Sequence, residues 1–258
     1  MEFIYEVKEN IAFMTINRPE VRNALNNEIT KQLLDSFERA KKDDDVRVIV
    51  IRSTGDNAFS AGADLSMLKE NRDDMVGFRS GFKIFAELLH SLTEVGKPTI
   101  AAVQGYALAG GCGIAAACDL TIAAEKAKFG LTEINVGFWA MVITAPIFRA
   151  VGMKNGLELC YTGKLIDAQE AKRIGMVNRV VPNESLEKEV MELAKDIASK
   201  NPVAMRLGRE AYYTTRDMEY GKALQYLSEL VIILASTEGC KEGIAAFLEK
   251  RKPEWEGK

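Results

Sequence analysis

Blocks of apolar and polar positions follow one another along the chain and predict strands and helices in turn. Short runs rich in β-branched residues, of which VRVIVI is the clearest, are typical of strands buried in a sheet. These runs span residues 11–17, 46–51, 99–103, 119–124 and 177–181. Elsewhere apolar residues recur every three or four positions among charged ones, which predicts amphipathic helices. The predicted helices span residues 25–40, 74–94, 144–150 and 153–161. Strands that alternate with helices indicate an α/β fold.

The last part of the chain carries helical patterns only. One apolar helical face is shared by Leu186, Val190, Leu193 and Ile197. Pro202 interrupts this helix, and helical spacing resumes after it. We therefore expect two parts, an α/β core over 1–182 and a helical module over 183–258.

Two loops that contain glycine follow predicted strands and are candidates for a ligand site. The first loop, 59–65, follows strand 46–51, and the second, 105–113, follows strand 99–103. Small residues let a ligand approach the main chain, and each loop enters a helix whose first N–H groups have no internal partner. Two such helix starts that face one point supply the donors that a developing oxyanion needs. Tight packing between strand and helix, without a ligand, is the alternative.

The second loop also fits a dinucleotide-binding pattern, although poorly. Residues 111–116 match G-x-G-x-x-A. Only about six residues separate this pattern from the next strand, and Glu125 follows the first glycine by about 14 residues instead of about 20. The spacing therefore disfavours nucleotide binding here.

Among the carboxylates, Glu133 has the sequence context of a proton-transfer group. It lies in FGLTEINVG, with apolar residues on both sides, and an apolar wall raises the pKa of a carboxyl group. A solvated loop glutamate is the alternative. By contrast, we expect Asp119 to accept structural hydrogen bonds at a strand end and Asp64 to cap a helix.

Composition excludes several classes of chemistry. The 258 residues contain one histidine, His90, so that a two-histidine zinc site is impossible and acid–base work falls to carboxylates, Lys, Tyr or Cys. Leucines surround His90 in a helical pattern, which predicts a plain core or surface residue. The net charge of −3 gives no general attraction to nucleic acid or anionic membranes.

Cysteine usage and hydropathy point to a cytoplasmic protein. The four cysteines show no CxxC spacing, which is typical of reduced thiols and predicts no metal site. No apolar run approaches the ~20 residues that span a bilayer, and the first residues do not form a signal peptide. We expect no membrane partner and no nucleic-acid partner.

Motifs spread over nearly the whole chain resemble those of one enzyme family. They are Asn17-Arg18-Pro19 with Asn23-Ala24-Leu25, the loop 59–65, the segment 100–107 with Gly110-Gly111-Cys112, the strand start at Asp119, Phe129-Gly130 with Glu133 and Gly137, Thr162-Gly163, Gly175-Met176-Val177, and Phe247 with Lys250-Arg251-Lys252-Pro253. Together they resemble the crotonase superfamily, also called the enoyl-CoA hydratase/isomerase family.

The resemblance implies a fold, an assembly and a substrate class. The fold would be a crotonase-like spiral of ββα units with an all-helical C-terminal trimerisation module. The protein would form a homo-trimer or a homo-hexamer built as a dimer of trimers. The substrate would be an acyl-CoA thioester, with no cofactor beyond the coenzyme A that the substrate carries.

Site residues follow from the resemblance position by position. The backbone N–H groups of Ala63 and Gly110 would hold the thioester oxygen, and Glu133 would be the catalytic acid or base. The implied substrate-binding set is Val21, Arg22, Ala61, Ala63, Asp64, Leu65, Gly110, Gly113, Trp139, Phe247 and Lys250, the last two from a neighbouring subunit.

The chain also departs from the family pattern, and the departures leave the reaction open. Hydratases of the family use two glutamates, and Gly113 stands at the first position. Residues 138–142 replace a glycine-rich turn, which implies a reshaped acyl pocket, and Glu20 stands where some relatives carry a basic residue near CoA. Hydration of a 2-enoyl-CoA, Δ3-Δ2-enoyl-CoA isomerisation by Glu133 as sole base, and a catalytically silent CoA-binding scaffold are the three alternatives. The intact Glu133 argues against the last.

Overall fold

The computed structural model describes residues 1–64 and 75–255, apart from the side chain of residue 75. Its strands are β1 Phe3–Lys8, β2 Ile11–Ile16, β3 Val48–Ser53, β4 Ala58–Ser60, β5 Thr99–Val103, β6 Tyr106–Leu108, β7 Leu120–Ala124, β8 Lys128–Gly130, β9 Ile166–Asp167 and β10 Arg179–Val181. Its helices are α1 Asn27–Lys42, α2 Met75–Glu94, α3 Gly110–Ala117, α4 Met141–Thr162, α5 Ala168–Arg173, α6 Leu186–Ala198, α7 Pro202–Thr215, α8 Tyr220–Ser236 and α9 Glu238–Leu248. Short 3-10 helices span Pro19–Val21, Thr132–Val136 and Asn183–Ser185.

The strands form two sheets, and from β3 to β8 successive strands belong alternately to one sheet and the other. The larger sheet has the order β1-β2-β3-β5-β7-β10 and the smaller one β4-β6-β8-β9. β2, β3, β5, β7 and β10 run parallel, as do β4, β6 and β8. Each long strand from β3 onwards is followed by a three-residue strand in the other sheet, so that the ββα units of the predicted spiral are present.

Both faces of the larger sheet are buried, which explains its continuous apolar strands. In β3, Ile49 and Ile51 face the main core, which lies between the sheets and helices α1 to α4. Val48 and Val50 face the other side, where α6 covers the sheet with Leu186 and Val190 among others. Burial on both faces is the condition under which a parallel strand reads as an unbroken apolar run.

Helix bounds differ from the predicted ones where caps and kinks decide them. The first helix begins at Asn27 instead of residue 25, because the Asn26 side chain accepts the Ile29 N–H at 2.8 Å and caps it. The two helices predicted around Gly152 form one element, α4, that is kinked at this glycine. Gly152 has a φ of 75° and a ψ of 170°, a backbone conformation that residues other than glycine rarely adopt.

Asp119 has the structural role that the sequence predicts. Its carboxylate accepts hydrogen bonds from the Thr99 N–H at 2.8 Å, Arg209 Nε at 2.8 Å and the Tyr213 hydroxyl at 2.7 Å. Arg209 also donates to the carbonyls of Leu92 and Thr93 at the end of α2. One carboxylate thereby ties α7 to the core. Within the described ranges, no helix combines the length and apolar character that crossing a bilayer requires.

Candidate active site

The two glycine-bearing loops meet where the neighbouring strands β4 and β6 end. A Cβ atom on Gly62, whose φ is +89°, would lie 2.7 Å from Ala109 Cβ and 3.1 Å from the Gly110 nitrogen. On Gly111, a Cβ atom would lie 2.5 Å from the Ser60 carbonyl oxygen. Both glycines are therefore required so that the first loop can pack against the start of α3. This packing also accounts for Gly111 without a bound nucleotide.

Asn23 holds the N-terminal segment against the first loop. Its buried side-chain amide donates to the Ala58 carbonyl at 2.7 Å and accepts the Arg18 N–H at 2.9 Å. This attachment places Leu25 beside residues 62–64, where Leu25 N–H donates to the Gly62 carbonyl at 2.8 Å. The Asn-Arg-Pro and Asn-Ala-Leu motifs thus have a structural purpose at the site.

The backbone N–H of Ala63 points away from this contact. Ala63 and Leu25 form a parallel bridge, whose two hydrogen bonds join Leu25 to Gly62 and to Asp64. Because the bonds of a parallel bridge skip the central residue, the Ala63 N–H faces the opposite side. None of the hydrogen bonds between described residues uses it. It is a main-chain donor available to a ligand.

Gly110 supplies a second main-chain donor next to the first. It is the first residue of α3, and the helical bonds begin only with Gly113 N–H, which donates to the Ala109 carbonyl at 3.0 Å. The first N–H groups of a helix lack internal acceptors and carry the positive end of its dipole. Phe85 lies against this position, with its Cζ atom 3.2 Å from where a Gly110 Cβ would stand. An oxyanion bound here meets donors beside an apolar wall.

Glu133 lies on the 3-10 helix that follows β8. β8 pairs with β6, with Leu108 opposite Gly130, which brings the following residues to the start of α3. Burial raises the pKa of Glu133 above its ordinary value, and a hydrogen bond from its own backbone N–H partly offsets the rise. Its Oε2 atom is buried and has no hydrogen-bond partner among the residues that the structure describes. The structure therefore favours the apolar-wall interpretation over a solvated loop glutamate.

Two buried thiols contribute to the surroundings of Glu133. Burial raises the pKa of Cys112 and of Cys160, and the nearby charge of Glu133 raises both further. Cys112 Sγ also lies 3.6 Å from Met176 Sδ in the core. The neutral thiols of Cys112 and Cys160 solvate the Glu133 carboxylate poorly, which agrees with the raised pKa of Glu133.

Gly113 has no room for a side chain. A Cβ atom there would lie 2.2 Å from Ile143 Cγ2 and 2.8 Å from Ile143 Cβ. Ile143 is 3% exposed, in the first turn of α4, and it supplies all three of the atoms nearest to this position. The place of the missing glutamate is thus filled by a branched apolar side chain.

A stripe of aromatic side chains on α2 includes Phe85, the residue that lies against Gly110. Phe78, Phe82 and Phe85 share one face of α2, since they are four and three residues apart. The Phe78 ring lies 5.0 Å from the Phe82 ring and 6.4 Å from the Phe138 ring. Trp139 packs edge-on against Tyr161 at 5.5 Å. Sequence analysis singled out Phe138 and Trp139 but missed the α2 stripe, for which the helical spacing was the available signal.

The N-terminal residues predicted to bind CoA lie together beside Ala63. Ala61 N–H donates to the Arg22 carbonyl at 3.0 Å, and Val21 is exposed next to them. Asp64 forms an ion pair with Arg18 at 3.4 Å. Leu65, and the helix that Asp64 was expected to cap, lie outside the described residues.

Two of the predicted CoA-binding residues lie at the C-terminal helices, and the single histidine lies on α2. Phe247 and Lys250 are exposed at the end of α9, a helix that contacts α7 and α8. His90 is exposed on α2, as a surface histidine. Over residues 1–64 and 75–255, no cluster of three His, Cys, Asp or Glu side chains is placed to hold a metal ion.

A half-buried carboxylate, main-chain N–H groups at two glycine-bearing loops and a fold of two sheets built from ββα units are the features that a comparison with known enzymes has to match. The model of the family described as enoyl-CoA hydratase/isomerase matches residues 6–258. The chain belongs to this family.

Relatives of known name and solved structures agree with this assignment. The chain is 38% identical to a short-chain-enoyl-CoA hydratase of Clostridium acetobutylicum, over 97% of this chain and 96% of that protein. It is 34% identical to the 2,3-dehydroadipyl-CoA hydratase of Escherichia coli, over 100% and 99% of the two chains. The crystal structure of an enoyl-CoA hydratase from Bacillus anthracis matches with a TM-score of 0.94 at 32% identity, over the full length of both chains. The crotonase-type fold expected from the sequence is confirmed.

Proposed function

We propose that the protein is an enoyl-CoA hydratase that adds water reversibly to a 2-enoyl-CoA thioester. The observation that carries the proposal is the buried Glu133 Oε2 atom, which has no hydrogen-bond partner among the described residues and lies on the segment that β8 brings towards the start of α3. The N–H groups of Ala63 and Gly110 likewise make no hydrogen bond between described residues. The names of the relatives support the choice of hydration.

In this mechanism the thioester oxygen accepts hydrogen bonds from the Ala63 and Gly110 N–H groups. Ionised Glu133 takes a proton from water, whose oxygen bonds to C3 of the acyl group while the C2–C3 π electrons move to the thioester and form an enolate. The two amides stabilise the enolate oxygen. Glu133 then returns the proton to C2, so that one water has been added and the carboxylate is restored. The reaction uses no cofactor beyond the CoA of the substrate.

Isomerisation of a 3-enoyl-CoA is a second candidate, which the contact between Gly113 and Ile143 favours. Glu133 would remove a proton from C2, the same amides would stabilise the dienolate, and the proton would return to C4. This reaction needs one carboxylate and no bound water. The apolar side chain beside Gly113 suits such a site.

One assay tests the proposal and separates the two reactions. Purified protein is incubated with crotonyl-CoA and, separately, with a 3-enoyl-CoA, and the products are followed by mass. A gain of one water from crotonyl-CoA supports hydration, and an unchanged mass with a newly conjugated double bond supports isomerisation. Absence of turnover on short, long, branched and cyclic enoyl-CoA thioesters contradicts both and leaves a CoA-binding scaffold.

The helical C-terminal module, residues 183–258, is proposed to assemble the protein into a trimer or a hexamer. Within it, α6 packs on the larger sheet, which leaves α7, α8 and α9 to reach a neighbour. No residue of α8 is buried in the single chain, although the helix is largely apolar. In the assembly, Phe247 and Lys250 would close the CoA site of a neighbouring subunit. A cytoplasmic location stays a prediction.

A further inference from the structure

The space that Ile143 fills adjoins the reacting groups. Gly113 follows Gly110 by three residues on α3, so that the two lie on one face of the helix, a single turn apart. The preceding residue, Cys112, lies within the field of the Glu133 carboxylate. A side chain or a water beside Gly113 would therefore stand next to the bound thioester.

An isoleucine in this space restricts what the site can do. Its side chain has no polar atom, so it can neither hold a water nor transfer a proton. A side chain at position 113 would also clash with Ile143, because a close-packed interior does not accommodate two carbon atoms 2.2 Å apart. Isoleucine at 143, in this position, thus requires glycine at 113.

We propose that Ile143 is a specificity-determining residue, which keeps a second acid and its water out of the space beside Gly113 and limits the site to chemistry that Glu133 carries out alone. The inference rests on the proposed role of Glu133. It assigns the balance between water addition and proton return to a residue on α4, which packs against α3.

The experiment is a double-mutant cycle. Gly113→Glu is introduced into the wild type and into Ile143→Gly, the variant that removes both clashing atoms, and kcat is measured for crotonyl-CoA hydration and for 3-enoyl-CoA isomerisation. In the presence of Ile143, we expect Gly113→Glu to lower both rates at least about tenfold. In the Ile143→Gly background, we expect it to raise hydration at least about tenfold, which is below the about 10²- to 10⁴-fold that a well-placed acid contributes, and to leave isomerisation unraised.

A reversal of sign for hydration between the two backgrounds supports the inference. An effect of Gly113→Glu with the same sign and size in both backgrounds overturns it. The double variant should also gain a second ionisation in its pH–rate profile, because two neighbouring carboxylates titrate as a coupled pair. A profile with one ionisation contradicts the presence of a working second acid.

Controls separate this outcome from loss of packing and from failure of the proposed function. Ile147 is buried one turn further along α4 and is not among the atoms nearest Gly113. In an Ile147→Ala background, Gly113→Glu should therefore lower both rates as it does in the wild type.

Should Ile143→Gly fail to fold, Ile143→Ala provides the second cycle. Ile143→Ala keeps the Cβ atom at 2.8 Å, so the reversal should be weaker but present. Wild type without turnover on either substrate refutes the proposed function, whereas active wild type with no reversal refutes only the role of Ile143.

Discussion

At the scale of single residues, Glu133 combines a cost in stability with a gain in chemistry. Burial of its carboxylate raises its pKa, and its Oε2 atom accepts no hydrogen bond from the described part of the chain. Desolvated carboxylates are costly to keep ionised unless a ligand or a hydrogen bond compensates them. The same desolvation lets the group accept and return a proton at a pH closer to neutrality.

Replacing this carboxylate should abolish turnover without loss of substrate binding. We expect Glu133→Gln to lower kcat about 10²- to 10⁴-fold, the usual contribution of a general acid–base group. CoA binding, measured by calorimetry, should stay within about twofold because the amide keeps the shape of the side chain. Glu125→Gln, at an exposed turn, is the matched control and should leave kcat unchanged. Turnover retained in Glu133→Gln would show that another group transfers the proton.

The raised pKa also predicts how stability depends on pH. Because the pKa of Glu133 is higher in the folded protein than in the unfolded chain, the protonated carboxyl group stabilises the fold. This contribution to the free energy of unfolding is complete below the ordinary pKa of 4.5 and is lost as the pH rises through the folded pKa. Glu133→Gln removes this loss. In urea unfolding from about pH 4 to about pH 8, the free energy of unfolding of the variant should therefore rise relative to wild type and then level off. A constant difference between the two proteins over this range would mean that Glu133 is not desolvated.

At the scale of elements, the strength of local sequence patterns decided what could be predicted. The long parallel strands were evident because both of their faces are buried, as in β3. The three-residue strands β4, β6 and β8 were not, because so short a segment depends on pairing with its neighbours for its conformation. The two glycine-bearing loops, 59–65 and 105–113, include residues of two of these short strands, β4 and β6.

At the candidate site, too, some features were visible in the local sequence and others depend on contacts between distant elements. Glycine patterns and the apolar context of Glu133 marked the loops and the carboxylate as candidates, and the resemblance to a family assigned their expected roles. What fills the space beside Gly113 was not predictable, because Ile143 is 30 residues away in sequence and reaches it only through the packing of α3 against α4. Contacts between elements that are distant in sequence leave no local pattern.

The attachment of α7 to the core is a prediction at this scale. Asp119→Ala removes the acceptor for Arg209, whose side chain is nearly buried, and for Tyr213. Loss of one partner of a buried pair costs about 3 kcal/mol or more, measured as the free energy of unfolding in urea. Asp217→Ala, which breaks the exposed pair with Arg149 at 3.1 Å, is the control and should cost less than about 1 kcal/mol. Equal effects would mean that Asp119 does not anchor α7.

At the scale of the whole molecule, the apolar surface of the C-terminal helices has no cover in the single chain. Tyr220, Leu224 and Val231 are exposed on one side of α8, and Phe247 on α9 is 82% exposed. Exposed apolar patches of this kind are typical of interfaces between proteins. They agree with the proposed assembly, in which the same surfaces meet around a symmetry axis.

Charges on this surface should therefore take the assembly apart. Leu224 and Val231 are seven residues apart and face the same way, so Leu224→Lys with Val231→Lys places two desolvated ammonium groups in the proposed interface. We expect sedimentation velocity to show a shift from trimer or hexamer to monomer. Far-ultraviolet circular dichroism should stay unchanged, because both side chains are exposed in the single chain.

The effect on catalysis tests whether the neighbour completes the CoA site. If Phe247 and Lys250 reach across to it, the dissociated variant should show a KM for crotonyl-CoA raised at least about tenfold, while kcat changes less because Glu133, Ala63 and Gly110 belong to one chain. Gln225→Lys adds one lysine on α8, about 100° around the helix from Leu224, and should leave both assembly and KM unchanged. A wild-type protein that sediments as a monomer would refute the module's proposed role. A dissociated variant with wild-type KM would show instead that each chain binds CoA by itself.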